Sequence, residues 1–396
     1  MKILINLTHL NSQKTGIEHY TEQLTRLLLN HPQITDLAGF TPHQTYDKSQ
    51  LKNHLDELEK TKTTSSENKL APLPWSQKIK NQIKPFAKSV PGLQTTYRAW
   101  LKWQQARRIQ RYAKKGFLYW EPNFIPASYP GKTFPVIHDL SDMDCPQYHL
   151  PQKAKWFAER IPESARQAKR VQTVSQYSQR RIHEKLGIPI ERIDIIPPGV
   201  SEHFRPVEPD TLQRLLKPYG LQPNQYLLSV ATLEPRKNLL GLLDAWKALP
   251  EALRDTYPLV LVGKMGWLNS ELNQALRPFI DKDQVIVTGY VPTKDLPALY
   301  SGARLFAYLS FYEGFGMPVA ECICCGTAVL TSSTTATQEA GKTYAHYVDP
   351  SDTNAITQAL QSLLNDPDPP QNVDYDQYSW HHSLSLLLNS FQKGSA

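Results

Sequence analysis

The feature of this chain that most limits its fold is a regular alternation of short apolar runs with longer amphipathic stretches. Runs such as KILIN at 2–6 and PLVLVG at 258–263 have the length and the aliphatic content of buried strands. Strands that alternate with helices in this way are typical of parallel α/β sheets. We therefore predict strands at 2–6, 116–120, 134–140, 170–175, 193–200, 226–232, 258–263, 284–291, 304–310, 328–333 and 345–350, and helices at 17–29, 152–168, 175–186, 238–249, 296–300 and 379–391.

The dipeptide Pro197-Pro198, followed by Gly199, interrupts this alternation. Proline lacks a backbone donor, so neither a helix nor a central strand continues through it. We place a hinge at 198–206, which gives a domain at 1–200, a second domain at 201–375 and a terminal helical segment at 376–396. Two α/β domains that face each other across a cleft suit an enzyme with two substrates, because ligands bind at the carboxyl ends of parallel strands.

The sequence favours a soluble protein of the cytoplasm. No apolar run approaches the roughly 20 residues that cross a bilayer, and the N-terminal run reads as a first strand rather than a signal peptide. Cys322, Cys324 and Cys325 are too close together to pair usefully with one another, and with Cys145 they form no disulfide framework. Zinc sites favour wider spacing and a fourth ligand, so we interpret these thiols as small buried side chains.

The net charge of +7 comes from one region, residues 69–115, which we call the basic segment. It contains twelve Lys and Arg residues and no Asp or Glu. These cations alternate with Trp75, Phe86, Trp100 and Trp103, a composition that suits an anionic membrane surface. A solvated basic helix whose Trp residues pack inward fits the same pattern. Nucleic acid is not expected as a partner, because no recognition module accompanies the charge.

The segment FYEGFGMPVAECICCG at 311–326 follows a predicted strand and opens a helix. Gly314 and Gly316 let the backbone approach a ligand closely, and Pro318 suits a first helical turn. The free amides of such a turn favour an anion or a hydroxylated sugar. Glu313 and Glu321 flank the turn, and each carboxylate matches a pair of vicinal hydroxyls. The spacing alone also occurs on solvated surfaces, but the intervening glycines and proline favour a ligand site.

Arg236 and Lys237 follow the predicted strand at 226–232, where we expect them to open the next helix. Arginine can bind a phosphate with two donors and lysine supplies a point charge. Together they can neutralise a diphosphate leaving group. A charged loop in which Glu234 pairs with Arg236 explains the same residues, and both interpretations stay open on this segment alone.

Two further candidates lie where predicted strands end or helices begin. The segment VIHDL ends a strand with His138 and Asp139, and a histidine there can hydrogen-bond a sugar, although an isolated His is more often structural. The loop ending at Thr15-Gly16 precedes a helix whose amides can bind phosphate. The chain lacks G-x-G-x-x-G, G-x-x-x-x-G-K-[ST], H-E-x-x-H and G-x-S-x-G, which disfavours dinucleotide oxidoreductases, P-loop NTPases, common metalloproteases and common hydrolases.

Together these segments resemble the retaining glycosyltransferases of family 4, which have the GT-B fold. The segments are TGIEHY (15–20), VIHDLSD (136–142), TVSQYSQRRI (173–182), IIPPGV (195–200), ATLEPRKN (231–238), LVGKMGW (261–267), VTGYVPTKDLPALY (287–300) and YEGFGMPVAE (312–321). The forms TLEPRKN and GKMGW look most like mannosyl- and rhamnosyltransferases of bacterial surface-polysaccharide pathways. The resemblance implies two Rossmann-like domains, the first for the acceptor and the second for the nucleotide sugar, and a C-terminal helix that packs back on the first domain.

The resemblance also implies roles for individual residues. Glu313 would bind hydroxyls of the donor sugar, Glu321 the ribose, and Arg236 with Lys237 the diphosphate. His138 would face the transferred sugar. The other expected donor-binding residues are Gly314, Phe315, Gly316 and Met317 around sugar and phosphate, Gly16 against the diphosphate, Gly289, Tyr290 and Val291 beside the nucleobase, and Gly263.

The implied reaction is a retaining transfer of a hexose, with mannose from GDP-mannose as the first choice, to a glycan or lipid-linked acceptor in polysaccharide or lipopolysaccharide synthesis. We expect no metal or other cofactor, because Arg236 and Lys237 would stabilise the leaving diphosphate. The expected location is cytoplasmic, at the inner face of the membrane if the basic segment binds lipid. A non-catalytic nucleotide-sugar-binding scaffold and a nucleotide-sugar 2-epimerase of the same fold are the alternatives. The joint presence of Arg236, Lys237, Glu313 and Glu321 disfavours both.

The sequence departs from the family pattern in two places. Leu309-Ser310 stands where relatives often have Pro-Ser. The segment SSTTATQEAG at 332–341 replaces the more usual S-S-x-P-E-x-x-G. Glu339 is retained but the proline is not, so the family pattern does not predict the shape of this loop.

Overall fold

The computed structural model describes residues 1–10, 16–67, 93–264, 266 and 270–395, with 59–67 and 93–102 described by their backbone alone. Within these residues the chain forms two compact units. The first consists of Met1–Ile137, Ile161–Gln172 and Leu387–Ala396, and the second of His138–Arg160 and Thr173–Leu386. Residues 138–160 and 173–200 therefore group with the second unit, whereas the predicted boundary at 200 assigns them to the first domain.

A mainly parallel five-stranded sheet forms the centre of the first unit. Its strands are Lys2–Asn6 (β1), Asp36–Phe40 (β2), Thr45–Tyr46 (β3), Leu118–Glu121 (β4) and Thr133–Pro135 (β5), in the order β3-β2-β1-β4-β5. The β2–β3 pair is antiparallel, and the other pairs are parallel. Ile3, Leu4 and Ile5 of the central β1 are fully buried, as expected for a strand that is covered on both faces.

The second unit contains a six-stranded parallel sheet. Two short strands outside this sheet, Val171–Thr173 (β6) and Ile193–Ile195 (β7), precede it in the chain. The strands of the sheet are Leu227–Val230 (β8), Leu259–Val262 (β9), Val285–Gly289 (β10), Leu305–Tyr308 (β11), Val329–Ser332 (β12) and His346–Val348 (β13). The order is β10-β9-β8-β11-β12-β13, a doubly wound arrangement. In such sheets ligands bind outside the carboxyl ends of the strands where the order reverses, which here is between β8 and β11.

Helices pack on these sheets and complete the cores. Trp246 is fully buried in the core of the second unit, with its ring 5.6 Å from that of Phe279. Truncation of a side chain like this costs about 3–5 kcal/mol. No helix among the described residues is long and apolar enough to cross a membrane. The helices are Gly16–Asn30, Lys48–Glu67, Leu93–Lys114, Ser141–Asp144, Pro151–Gln167, Gln176–Leu186, Pro209–Leu216, Leu239–Lys247, Glu251–Thr256, Ser270–Ile280, Leu296–Ser301, Met317–Cys324, Thr337–Gly341, Thr353–Asn365 and Trp380–Ser395.

The predicted strands and helices all occur, with bounds that differ by a few residues. All of the predicted strands except the first are shorter than predicted, and two of them end well before the predicted bound. The one expected at 134–140 ends at Pro135, and Val136 then forms an isolated bridge to Gln172. The one expected at 193–200 ends at Ile195, because the following prolines have no amide to donate. No bounds were predicted for β2, for β3 or for the helices Lys48–Glu67, Leu93–Lys114, Ser141–Asp144, Pro209–Leu216, Glu251–Thr256, Ser270–Ile280, Thr337–Gly341 and Thr353–Asn365.

The C-terminal helix Trp380–Ser395 contributes its second half, from Leu387 on, to the first unit. There Phe391 packs edge to face against Phe134, with ring centroids 5.1 Å apart. The Ser390 hydroxyl accepts a hydrogen bond of 2.9 Å from Gln172. These contacts agree with the predicted return of this helix to the first domain.

Only part of the basic segment is described. Trp75 and Phe86 lie outside the described residues, and so does the side chain of Trp100. Trp103, on the helix Leu93–Lys114, is 53% exposed, and the Arg107 guanidinium lies 4.5 Å from its ring centroid. Trp103 therefore does not pack inward, while membrane binding stays a prediction.

Candidate active site

The carboxyl ends of β8 and β11 lie side by side in the second unit, because the two strands are parallel neighbours. The loop after β8 carries Arg236 and Lys237, and the loop after β11 carries Glu313. The fold thus brings Glu313 to Arg236 and Lys237, which precede it in sequence by 77 and 76 positions. All three are residues that the sequence analysis predicted to act in catalysis.

Arg236 and Lys237 lie in the 3₁₀ turn Pro235–Lys237, immediately before the helix that they were expected to open. Asn238 follows with a φ of 53°, in the left-handed region that asparagine tolerates better than most residues. The helix begins at Leu239. The turn therefore separates both basic side chains from the helix and leaves them in the loop at the end of β8.

Glu313 is buried, with 7% of its surface exposed, and it accepts hydrogen bonds from three groups. The Lys237 ammonium lies 2.5 Å from Oε1, and the Tyr308 hydroxyl lies 2.9 Å from the same oxygen. The Arg236 guanidinium lies 3.3 Å from Oε2. Tyr308 is the last residue of β11, and the sequence analysis missed it because a tyrosine within an apolar run reads as part of the core.

Arg236 is also held by Glu234, whose Oε1 lies 2.8 Å from Nη2 and 3.2 Å from Nε. Its Nη1 donates to the carbonyl of Tyr312 at 2.6 Å. The ion pair between Glu234 and Arg236 that the sequence analysis considered is therefore present, and the same guanidinium reaches Glu313 as well. With two cations and two carboxylates, the cluster of Glu234, Arg236, Lys237 and Glu313 has no net formal charge.

Both cations keep a donor beyond these bonds. An arginine has five N–H groups, and among the described contacts four point to Glu234, Tyr312 and Glu313. The ammonium of Lys237 has three and uses two, on Tyr308 and Glu313. The side chains of Arg236 and Lys237 are 13% and 10% exposed, so each cation is partly accessible to a ligand.

The charges in this cluster shift one another's pKa. Burial would raise the pKa of Glu313, but the charges of Lys237 and Arg236 outweigh it and lower that pKa to about 2. Burial, together with the charge of Arg236, lowers the pKa of Lys237 in spite of Glu313. Burial also acts against the charged form of Arg236, but the neighbouring carboxylates raise its pKa. An incoming diphosphate would favour the charged form of Lys237 in the same way that Glu313 does.

Glu321 lies within the helix Met317–Cys324, as predicted. Its Oε2 accepts a hydrogen bond of 3.0 Å from the Tyr300 hydroxyl. Burial raises the pKa of Glu321 to about 7, against the opposite effect of Tyr300. Across the described part of the chain Glu321 forms no ion pair, so a ligand that offers hydroxyl donors would add to its single tyrosine bond.

Gly314 packs directly against the backbone of His138. A Cβ on Gly314 would lie 2.6 Å from the carbonyl oxygen of His138, so only glycine fits without a shift of the backbone. The Ser178 hydroxyl donates to the same carbonyl at 3.1 Å. Gly316 has a φ of 98°, which again requires glycine. The structure therefore holds the backbone of His138 beside the loop that carries Glu313.

A carboxylate from a different part of the sequence caps the helix Gln176–Leu186. The amides of Gln176 and Tyr177 each donate to Glu339 at 2.7 Å, which places a negative charge at the positive end of the helix. Ser175 is the N-cap, as predicted, and accepts from the amide of Ser178 at 3.0 Å. Glu339 thereby ties the segment 332–341 to this helix.

The residues predicted at the nucleobase lie at the end of β10, and Gly263, another predicted donor-binding residue, lies at the end of β9. Gly263 has a φ of 149°, and a Cβ there would lie 1.8 Å from a backbone carbonyl of the loop after β8. Gly289 has a φ of 71°. Tyr290 is 55% exposed, with the Lys264 ammonium 4.8 Å from its ring centroid, whereas Val291 is buried. An exposed ring of this kind is available to stack on a base.

The other predicted donor-binding residues fall into different settings. Phe315 is buried, and Met317 is the first residue of the helix that carries Glu321. Gly16 belongs to the first unit, where it begins the helix Gly16–Asn30. Among the described residues a Cβ on Gly16 would meet nothing within 4 Å. The roles of these residues toward a donor stay predictions.

The clustered cysteines are core residues. Cys322, Cys324 and Cys325 are free and buried, and so is Cys145. Burial raises the pKa of all four thiols. The interpretation of these residues as small buried side chains is confirmed.

Comparison with known proteins identifies the class. Residues 216–380 match the family Glycosyl transferases group 1, and residues 16–204 match Glycosyltransferase Family 4. Over 399 aligned residues, 99% of this chain and 100% of the relative, the sequence is 31% identical to O-antigen chain mannosyltransferase B of Escherichia coli. The chain therefore belongs to the glycosyltransferases with these two domain families. The gap between the two matched ranges adjoins the predicted hinge at 198–206.

Two further relatives match over a smaller part of the chain. The serotype-specific mannosyltransferase WbdA of Escherichia coli is 32% identical over 282 residues, which cover 68% of this chain and 34% of WbdA. A GDP-mannose-dependent alpha-(1-6)-phosphatidylinositol monomannoside mannosyltransferase of Mycolicibacterium smegmatis is 31% identical over 205 residues, which cover 49% of this chain and 52% of that protein.

Solved structures show the same fold. HepE of Anabaena, in complex with UDP and glucose, has a TM-score of 0.62 at 17% identity, and 100% of this chain covers 95% of it. WaaG, a glycosyltransferase involved in lipopolysaccharide biosynthesis, has a TM-score of 0.61 at 13% identity with the same coverage. The predicted GT-B fold, with parallel sheets in two α/β domains, is confirmed.

Proposed function

We propose that this glycosyltransferase moves mannose from GDP-mannose to a saccharide acceptor, free or lipid-linked, in the synthesis of a surface polysaccharide such as an O-antigen. The similarity to O-antigen chain mannosyltransferase B over the whole chain supports both the sugar and the pathway. The shorter matches also carry mannosyltransferase names. None of the relatives named above is an epimerase or a scaffold.

The observation that carries the catalytic part of the proposal is the cluster of Arg236, Lys237 and Glu313 beyond β8 and β11. In the proposed reaction the bond from C1 of mannose to the diphosphate oxygen breaks while an acceptor hydroxyl attacks C1 from the same face. The acceptor's proton passes to the leaving phosphate oxygen, so no protein base is needed. Arg236 and Lys237 stabilise the charge that develops on the diphosphate, each through its remaining N–H. The product keeps the anomeric configuration of the donor.

Glu313 has two tasks in this proposal. Before the donor binds, it compensates the charge of Lys237 and Arg236 and keeps both side chains in place. When the donor is bound, it accepts hydrogen bonds from hydroxyls of the sugar, while Glu321 accepts from the ribose. We also propose that no divalent cation is required, because the two basic side chains supply the positive charge at the diphosphate.

A panel of donors tests this proposal. Purified protein would be mixed with GDP-mannose, UDP-glucose, UDP-galactose or dTDP-rhamnose, with α-mannotriose as acceptor, and both the release of nucleotide and the melting temperature would be measured. We expect GDP-mannose to give the fastest release and the largest rise in melting temperature, and EDTA to leave the rate unchanged. Faster release from another donor contradicts the sugar assignment, and a thermal shift without release contradicts catalysis. Loss of activity in EDTA contradicts metal independence.

We further propose that the basic segment binds an anionic membrane surface near a lipid-linked acceptor. The exposed Trp103 beneath Arg107 supports this, because such a pair can place an aromatic ring at the interface and a cation at the headgroups. Flotation with phosphatidylglycerol vesicles at low salt should carry the protein upward, and Trp103→Ser should weaken the effect. Trp156→Ser, which changes an exposed Trp outside the basic segment, is the matched control. Protein that stays at the bottom of the gradient contradicts membrane binding.

A further inference from the structure

A cavity of about 550 Å³ opens in the second unit beside the candidate active site. Volumes in this range are typical of sites for small molecules. Its walls come from three separate parts of the chain: the region 144–148, the helix Gln176–Leu186, and the loop after β11. Nothing in the roles assigned so far uses this cavity.

Aromatic side chains form two of its walls. The rings of Tyr148 and Phe311 are stacked, with centroids 5.7 Å apart and planes 8° from parallel. The rings of Tyr177 and Tyr312 meet edge to face at 5.5 Å. Tyr148, Tyr177 and Phe311 are only partly buried, so these rings are not merely core residues and present apolar surface to the cavity.

A network around Asp144 holds the walls in place. Arg181 forms a two-bond fork on the Asp144 carboxylate, with distances of 2.8 and 2.7 Å. The Tyr312 hydroxyl donates to the same carboxylate at 3.1 Å. A fork of this kind fixes geometry as well as adding energy. The outer nitrogen of Arg181 also bonds Glu184, whose side chain is 53% exposed at the rim.

The cavity wall is continuous with the catalytic cluster. Phe311 and Tyr312 immediately precede Glu313, and the amide of Phe311 donates to the carbonyl of Arg236 at 2.9 Å. Arg236 in turn donates to the carbonyl of Tyr312 at 2.6 Å. A molecule in the cavity would therefore lie next to the loop that is proposed to hold the transferred sugar.

We infer that this cavity is a subsite for a hexose residue of the saccharide acceptor. The inference rests on the proposed function and assigns the acceptor a place within the second unit. A pyranose ring has an apolar face of C–H groups and an edge of hydroxyls. The paired rings of Tyr148 and Phe311 match the face, and the charged groups at the rim, Glu184 and Arg180, match the hydroxyls. The residues proposed to contact the donor, namely Arg236, Lys237, Glu313 and Glu321, do not line this cavity.

The test separates acceptor binding from donor chemistry. The variants are Tyr148→Ala and Glu184→Gln, with Trp156→Ala as the control, because Trp156 is an exposed aromatic of the same unit that does not line the cavity. Three quantities would be measured: the KM for α-mannotriose, the KM for GDP-mannose, and the release of GDP to water without acceptor. A second readout is ligand-observed NMR of α-mannotriose with each protein in the absence of donor.

We expect Tyr148→Ala to raise the acceptor KM at least tenfold and to abolish the NMR signal of bound α-mannotriose. The donor KM and the release of GDP to water should change less than twofold, and Trp156→Ala should match the parent protein. Equal acceptor KM and equal NMR signals in parent and Tyr148→Ala overturn the inference. A parallel rise in donor KM also overturns it, because the cavity would then belong to the donor. A parent protein that releases no GDP from GDP-mannose refutes the proposed function instead, and the NMR comparison still tests the cavity.

Discussion

The Lys237 ammonium lies 2.5 Å from the Glu313 carboxylate, although the two residues are 76 positions apart in sequence. Each comes from the loop that follows one of two adjacent parallel strands. The contact explains how two buried basic side chains are kept in one place before any phosphate arrives. A diphosphate that binds as proposed would share Lys237 with Glu313 and would not meet an isolated positive charge.

Replacement of Lys237 by alanine should slow the chemical step about 100-fold or more, the scale of losing one preorganised charge contact. The reason is that one of the two donors to the leaving diphosphate disappears. Single-turnover release of GDP from GDP-mannose measures this step. Lys247→Ala is the control, because Lys247 is exposed and pairs with Asp244 on the surface. Near-normal turnover in Lys237→Ala would defeat the assignment.

Donor affinity should rise with pH around Glu321. Its pKa is raised to about 7, so the carboxylate that is proposed to accept the ribose hydroxyls forms mainly as the pH passes this value. Binding of GDP-mannose should strengthen up to about tenfold between pH 6 and 8, in proportion to the ionised fraction. Titration calorimetry of the parent and of Glu321→Gln measures the effect. We expect the variant to lack the rise, and an equal rise in both proteins assigns the pH dependence to another group.

Loss of the Glu339 carboxylate should destabilise the second unit. Two backbone amides at the start of the helix Gln176–Leu186 would lose a charged acceptor, and Glu339→Ala should lower the free energy of unfolding by about 1–2 kcal/mol. Urea denaturation measures the change. Gln358→Ala, at an exposed helical position of the same unit, should change stability much less. Equal stability of Glu339→Ala and the parent contradicts a capping role.

Glu121, in the first unit, should make stability depend on pH. It is buried and accepts from Asn6 at 2.7 Å, from Tyr119 at 2.5 Å and from the amide of Asn123 at 3.1 Å. Burial raises its pKa from an ordinary value of 4.5 to about 8. The folded chain therefore holds the proton of Glu121 more tightly than the unfolded chain does. The stability that protonated Glu121 contributes is lost as the pH rises from 4.5 to about 8.

The comparison is between the parent and Glu121→Gln, which keeps a neutral side chain at every pH. From pH 4.5 to 8 the unfolding free energy of the parent should fall relative to the variant, by at most about 1.4 kcal/mol per pH unit. Denaturation at several pH values measures the slope. Glu251→Gln, at an exposed site, is the control and should show the same dependence of unfolding free energy on pH as the parent. If the difference in unfolding free energy between the parent and Glu121→Gln does not change with pH, the raised pKa of Glu121 is contradicted.

The sequence predicted the sheets well because buried parallel strands are short, continuous apolar runs. It missed β2, where Gly39 interrupts a five-residue strand, and the helix Lys48–Glu67, which is largely polar and buries Leu51 and Leu55 in its first turns. The alternation of apolar and polar residues is weak in both segments, so contacts with the rest of the unit determine their secondary structure.

The candidate site could be listed from the sequence but not assembled from it. Motif spacing identified Arg236, Lys237 and Glu313, yet nothing local shows that all three share one cluster. The contacts of Tyr308 and Glu339 depend on which strands are neighbours and on how segments more than 100 residues apart pack. The helix predicted to begin at Asn238 begins at Leu239, because Asn238 adopts a left-handed conformation that its type permits but does not require.

The most direct test of the whole account is the structure of the reaction product. Protein, GDP-mannose and α-mannotriose would be incubated, and the new glycosidic linkage would be examined by NMR through the one-bond coupling at its anomeric carbon. We expect a tetrasaccharide with an added α-linked mannose, formed together with one GDP. A β-linked product contradicts retention at the cluster of Arg236, Lys237 and Glu313, and GDP-mannose left intact contradicts the proposed donor.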